Sequence, residues 1–106
     1  MISFKEFQKI ELKVGKIIEA EKIENSEKLL KLKVDLGDEI RQIVAGIAKS
    51  YQSNYLKGKE IVIVANLEPK KLMGIESQGM LLAANVNGIP TLLQPEKEVP
   101  PGTKIQ

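Results

Sequence analysis

The sequence predicts an all-β fold: a five-stranded OB barrel with a short helix between strands three and four, an N-terminal helix and a C-terminal hairpin extension. Three observations carry that expectation. Leu30, Leu32, Val34 and Leu36 alternate with Lys31, Lys33 and Asp35, the period of a half-buried strand. Strand-like segments come in the order three strands, a helical signal, two strands, which is the order of an OB barrel. Two phenylalanines, two tyrosines and no tryptophan supply little bulk for a core, and a small barrel closed on itself needs little. A chain of 106 residues suits a single core, with roughly 60 to 70% of the unfolded chain's surface buried on folding. Residues 1–106 are read as one domain, with 1–11 a helical N-terminal extension and 87–106 a C-terminal extension.

Ser3 and Glu6 have the spacing of a capping box, and Ile2 and Phe7 that of a hydrophobic staple, which predicts a helix over Phe4–Lys9. Leu12–Ile23 reads as one long, curved strand, with Gly15 marking a bulge or bend. Leu30–Leu36 is the second strand, and its three charged residues share the outer face. Gly37-Asp38 turns the chain into a third strand over Ile40–Ile47. Two registers are open there. A two-residue loop sets Arg41 opposite Val34, whereas a three-residue loop with a bulge sets it opposite Asp35 in a cross-strand ion pair; the second is preferred.

Ile47, Tyr51 and Tyr55 recur every four residues beside Ala48 and Leu56, predicting a helix of about two turns that Gly58 ends. Ile61–Leu67 reads as a fully buried strand and Gly79–Val86 as another, rich in small residues. Asn87-Gly88 is a type I′ turn signal that folds a short strand, Ile89–Leu93, back beside it. From Gln94 onward, Pro95, Pro100, Pro101 and Gly102 predict an irregular tail.

Composition removes most catalytic chemistry. Without cysteine or histidine there is no disulfide, thiolate nucleophile, imidazole base or Cys/His zinc site. Glu76-Ser77 and Asp38-Glu39 have no base or nucleophile spaced around them. A protein that is no enzyme and carries no cofactor or metal is expected. The longest apolar run, Ile61–Ala65, falls far short of the roughly 20 residues a bilayer requires, and the N-terminus is charged where a signal peptide is apolar. A soluble, cytoplasmic protein with no membrane partner follows as an expectation, and Met1 with its capped first helix suits a complete polypeptide. Sixteen basic residues against fourteen acids give a net charge of +2, weaker than the footprint of most nucleic-acid binders.

An OB barrel binds across its second and third strands, between the loop joining strands one and two and the loop joining strands four and five. The first loop is Glu24-Asn25-Ser26-Glu27-Lys28, leading to Lys31 and Lys33; the second runs from Leu67 to Gly79. Lys28, Lys31 and Lys33 have the spacing to meet successive phosphates, with Lys70 and Lys71 as a basic patch across the groove. The same lysines would also suit a merely solvated face. Leu72, Met73 and Ile75 are apolar where a solvated loop is polar: they either tuck under the barrel rim or join Met80 in an adaptable contact for a base or sugar. Asn66, Ser77 and Gln78 would give neutral hydrogen bonds there or cap turns. All four aromatics lie in predicted helices, which disfavours a general single-strand binder that stacks bases; recognition of folded RNA by shape and 2′-hydroxyls suits the residues better.

Several motifs then resemble one family. Leu12-Lys13-Val14-Gly15-Lys16-Ile17, Asn25-Ser26-Glu27-Lys28-Leu29, Val34-Asp35-Leu36-Gly37, Arg41-Gln42-Ile43-Val44-Ala45-Gly46-Ile47 and Ser77-Gln78-Gly79-Met80-Leu81-Leu82-Ala83-Ala84 are similar, in this order, to the tRNA-binding OB-domain family. That family includes the C-terminal domain of methionyl-tRNA synthetases, separate synthetase β subunits, free-standing tRNA-binding proteins, the endothelial monocyte-activating polypeptide and the secretion chaperone CsaA. The resemblance implies non-catalytic tRNA binding by overall shape, assistance to a methionyl-tRNA synthetase catalytic subunit in cis or in trans, and a homodimer. It places Asn25 and Lys28 in the first-loop motif and Ser77, Gln78 and Met80 in the second. Many relatives carry His-Pro where this chain has Ile23-Glu24. Arg41 belongs with the tRNA-binding candidates, and Phe4, Phe7, Ile89, Leu92, Leu93 and Val99 are candidates for an isologous dimer interface. The alternative is a CsaA-like chaperone that holds unfolded polypeptide in an apolar groove.

Overall fold

The alternation at residues 30–36 becomes a strand with every second side chain buried in a computed structural model that describes residues 1–106. In chain order the elements are α1 (Phe4–Phe7), β1 (Leu12–Lys22), β2 (Leu30–Asp35), β3 (Ile40–Ala45), α2 (Ser53–Leu56), β4 (Glu60–Val64), β5 (Lys70–Leu72) and β6 (Ile75–Ser77). Then come β7 (Met80–Leu81), β8 (Ala83–Val86), β9 (Ile89–Leu92) and β10 (Lys104–Ile105).

β1 is the spine. Its C-terminal half pairs antiparallel with β2, from Lys16 opposite Asp35 to Lys22 opposite Leu30, while its N-terminal half pairs with β4. Leu12 has β10 on one side and β4 on the other, opposite Ile105 and Val64 respectively. The sheet order is β3-β2-β1-β4-β7. The residues just before β7 return to β3, where the Gln78 N–H donates to the Gln42 carbonyl at 2.7 Å. These five strands form a nearly closed antiparallel barrel, the OB architecture expected. Inside it pack Ile17, Leu30, Leu32, Val34, Ile43, Ile61 and Ile63, with Leu56 of α2 plugging one end. Truncating any one of these large side chains to alanine costs about 2–5 kcal/mol.

Local signals hold where chemistry is explicit. Ser3 Oγ accepts from the Glu6 N–H at 3.1 Å, and the Glu6 carboxylate reaches back to Ser3, completing the capping box. The helix is shorter than the spacing suggests, ending at Phe7. Asn87 and Gly88 both take positive φ, 53° and 85°, as a type I′ hairpin between β8 and β9 requires.

Other expectations need correction. The bulge in β1 lies between Ile17 and Glu19, not at Gly15. Gly15 is required by closeness: a Cβ there would sit 2.4 Å from Val34 Cγ1. The β2–β3 register is the one set against Arg41–Asp35 pairing. Val34 lies opposite Arg41 and Asp35 opposite Ile40. The Leu36 N–H donates to the Glu39 carbonyl at 2.8 Å across a two-residue Gly37-Asp38 turn, and Asp35 Oδ1 is occupied by the Gly37 N–H at 2.8 Å. The predicted two-turn helix is a single turn, α2, after a tight turn in which the Ser50 and Tyr51 N–H groups share the Ile47 carbonyl. Tyr51 is thus outside the helix, and its hydroxyl accepts from the Leu92 N–H at 3.1 Å. The predicted strand 79–86 breaks at Leu82, so β7 belongs to the barrel and β8 to the C-terminal hairpin. The tail is irregular only as far as β10, which adds to β1.

Candidate nucleic-acid interface

Side chains paired across a sheet share a face. Lys31 of β2 lies between Glu21 of β1 and Val44 of β3, and Lys33 between Glu19 and Gln42. These residues form the outer face of the barrel, while Leu30, Leu32 and Val34 point in. Lys31 Nζ pairs with the Glu21 carboxylate at 2.7 Å. That hydrogen bond, with the ammonium charge, holds the Glu21 carboxyl below its ordinary range. The basic face is thereby partly neutralised, in keeping with the small net charge.

The loop Ile23–Leu29 holds its own shape. Ser26 Oγ accepts from the N–H groups of Lys28 at 3.3 Å and Leu29 at 3.1 Å, and the Ser26 N–H donates to the Ile23 carbonyl. Asn25 takes a φ of 66° at the turn. Ile23 is buried, so the departure from His-Pro places an apolar anchor at the loop's root. The side chains of Asn25 and Lys28 are exposed beside the outer face.

The opposite rim is not a loop but a hairpin. β5 and β6 pair around Met73-Gly74, both at positive φ. Methionine seldom occupies such a position, so Gly74 is the one sequence signal of this turn. Ser77 is buried, its Oγ accepting from the Val44 N–H at 2.9 Å and donating to the Gly79 carbonyl at 2.9 Å. Gln78 Oε1 accepts from the Gln42 N–H at 3.0 Å, and Gln42 Nε2 donates to the Glu76 carbonyl at 2.8 Å. Gln42 is not among the sequence candidates, although its period-two place opposite Lys33 puts it on the candidate face. Gly79 holds a φ of 136° that side chains strain, and a Cβ there would press on the Val64 carbonyl at 3.0 Å and Ile43 Cδ1 at 3.1 Å.

Hairpin parity separates the two lysines of β5. Lys70 and Leu72 line a groove of about 470 Å³ with Val44, Leu67, Ser77 and Met80, whereas Lys71 stands on the other side, opposite Glu76. Arg41 faces inward at the barrel end, as its pairing with Val34 dictates. Its Nη1 donates to the carbonyls of Ala65 and Gln78, and its Nε to Glu39 at 2.8 Å. The hydrogen bond to Glu39 raises the guanidinium pKa further and holds Glu39 below its ordinary range. Asn66 clips the N-terminal extension to the barrel, accepting from the Glu11 N–H at 2.9 Å and donating to the Lys9 carbonyl at 2.6 Å.

The six candidates for a dimer interface divide. Phe4, Phe7, Ile89 and Leu93 are exposed, while Leu92 packs against the core and Val99 is half-buried, its N–H held by Glu60 at 2.9 Å. Tyr51 and Tyr55 stack at 6.1 Å with Lys59 over the Tyr55 ring at 4.5 Å, so this aromatic pair already has partners. No helix is long and apolar enough to cross a membrane.

A nearly closed five-stranded barrel, capped by α2 and bearing a lysine-lined outer face between two shaped rims, defines an OB-type binding module. The family model described as "Putative tRNA binding domain" matches residues 12–104, and the chain belongs to that tRNA-binding family. It is 53% identical over 104 residues to the methionine–tRNA ligase of Archaeoglobus fulgidus, covering 98% of this chain and 16% of the ligase. The chain thus spans about a sixth of the length of the curated relatives it matches. Among solved structures, the MetRS related protein from Pyrococcus horikoshii superposes with a TM-score of 0.95 at 44% identity, covering 100% of this chain and 98% of that one. The chaperone CsaA from Bacillus anthracis superposes with a TM-score of 0.91 at 34% identity, covering 100% and 99%.

Proposed function

We propose that this protein binds folded tRNA through the outer face of β2 and the two rims beside it, performs no chemistry, and assists a methionyl-tRNA synthetase in the cytoplasm. The observation that carries the reading is the face itself: Lys28, Lys31 and Lys33 stand along one edge and Lys70 along the other, on a barrel of the tRNA-binding family. Four lysines on a face that carries no aromatic side chain, with the exposed Phe4, Phe7 and Tyr55 outside it, favour phosphate contacts and shape over base stacking. Asn25 contributes a hydrogen-bonding group at the first rim and Met80 an apolar one at the second. Arg41, Ser77 and Gln78 act mainly by holding the second rim in place, and Asn66 by holding the N-terminal extension, since each already has internal hydrogen-bond partners. Lys71 is a peripheral contact.

Two copies joined through the exposed Phe4, Phe7, Ile89 and Leu93 would place two weak sites on one rigid body, where effective concentration compensates for modest single-site affinity. Light scattering at micromolar concentration should give twice the mass of the chain; a monomer throughout would remove the dimer from the account.

The test of function is a titration with several intact tRNAs, an acceptor mini-helix and single-stranded RNA at two salt concentrations. All intact tRNAs should bind similarly, with both fragments much weaker. Equal binding of single strands would defeat shape recognition. A second reading, a CsaA-like hold on unfolded polypeptide, is favoured by the superposition with CsaA at 0.91. Suppressed aggregation of an unfolded test protein, with no retardation of tRNA, would put that reading first.

A further inference from the structure

Val44 presents a contradiction that leads to a site. Its pairing with Lys31 places it on the outer, basic face, yet only 6% of it is exposed. The cover is the β5–β6 hairpin, drawn down on β3 by Ser77, Gln78 and Gln42. The hairpin covers Val44 without filling the space above it, leaving the groove of about 470 Å³ described above, within the roughly 300–1,000 Å³ typical of ligand sites. Its apolar lining is Val44, Leu72, Leu67 and Met80, the last two 46% and 48% exposed.

We propose that this groove receives one unstacked nucleotide of the bound RNA, its base against Met80 and Leu67 and its phosphate beside Lys70. The proposal rests on the tRNA-binding reading and deepens it. Three features of the groove select this occupant. The apolar patch is continuous with the lysine face, since Val44 and Lys31 are neighbours across the strands. Lys70 shares its wall with Leu72, giving the pairing of cation and apolar surface that a nucleotide matches with phosphate and base. At its floor Ser77 Oγ is already bonded internally, and the two charged side chains of its lining, Lys70 and Glu68, are exposed, so the groove offers a base an apolar seat with no free buried side-chain donor or acceptor to read its identity. The contact therefore adds affinity with little sequence preference. It also adds a requirement to shape recognition: the RNA must offer a nucleotide outside its stacks, as loops and bulges do and a continuous duplex does not.

The experiment compares the whole protein with Leu67→Ser/Met80→Ser, both sites exposed enough for the barrel to keep its melting temperature. Affinity for intact tRNA should fall roughly tenfold, the scale set by a few methylenes that no longer leave water, while the slope of log affinity against log salt stays unchanged because every phosphate keeps its lysine. Continuous double-stranded RNA, binding weakly to wild type, should not distinguish the two. Unchanged tRNA affinity in the double variant, with Lys28→Glu/Lys33→Glu still impaired, overturns the groove and leaves tRNA binding standing. No tRNA binding by wild type overturns both. Loss confined to the hold on an unfolded polypeptide assigns the groove to an apolar side chain and overturns the nucleotide.

Discussion

The two rims of the β2–β3 face are built by opposite means. The Ile23–Leu29 loop closes on its own backbone through Ser26, leaving Asn25 and Lys28 facing solvent. The Lys70–Ser77 hairpin is fastened to β3 by side chains, so Ser77, Gln78 and Gln42 are engaged in holding it. A polar residue in a candidate site is a contact residue on the first rim and mostly a fastening on the second. Mutations of the fastening residues Ser77, Gln78 and Gln42 should therefore register first as stability, and mutations of the first rim's Asn25 and Lys28 as affinity.

The largest effect is expected from Arg41→Leu, which leaves the Ala65 and Gln78 carbonyls without their donor. Removing two such bonds costs about 2–4 kcal/mol, and the thermal midpoint should drop by roughly 10 °C or more. The salt slope of tRNA binding should stay that of wild type, measured where the variant is folded. Ser77→Ala comes next: the Val44 N–H is left without a partner, at about 1–2 kcal/mol, read from a denaturant midpoint with unchanged m-value. Were Ser77→Ala instead to weaken tRNA with no change in stability, the division between the rims would fail. Lys70→Glu should lower tRNA affinity several-fold more than Lys71→Glu, because only Lys70 lines the groove; equal effects in a filter-binding assay would erase the parity argument.

The smallest effect concerns pH. With no histidine in the chain, tRNA affinity should be flat from about pH 6 to 8. Glu21 and Glu39 sit below the ordinary carboxylate value of 4.5 because Lys31 and Arg41 hydrogen-bond them. Their contribution to stability is fully present above that value and is lost as pH falls through the lowered one. Acid melts, not neutral ones, should show it.

Legibility in the sequence follows the same division. β2 is readable because period-two alternation is a local signal, and the first rim follows as the polar stretch before it, although the turn that Ser26 makes there is seen only in the structure. The capping box at Ser3 and the Asn87-Gly88 turn are readable as local signals too. The β5–β6 hairpin is not, since Met73 gives no turn signal and the hairpin is held by contacts to Gln42 and Val44, more than thirty residues earlier. The inward Arg41 is hidden by one residue of register, which sends a side chain to the opposite face. A plausible ion pair with Asp35 competes with the shorter turn in the sequence, although Asp35 is engaged by its own turn. Tyr51 and Tyr55 suggest a longer helix because a four-residue spacing cannot distinguish a helix from a turn that leads into one.

The central claim is that the lysine face meets tRNA phosphates. The direct measurement is the dependence of tRNA affinity on salt for wild type and for Lys28→Glu/Lys33→Glu. The double variant should bind tRNA at least tenfold more weakly at low salt, with its melting temperature retained. Its log–log slope should be shallower by about 2, one unit for each phosphate that a lysine no longer neutralises. A slope and affinity equal to wild type would place the RNA elsewhere on the protein and contradict the account.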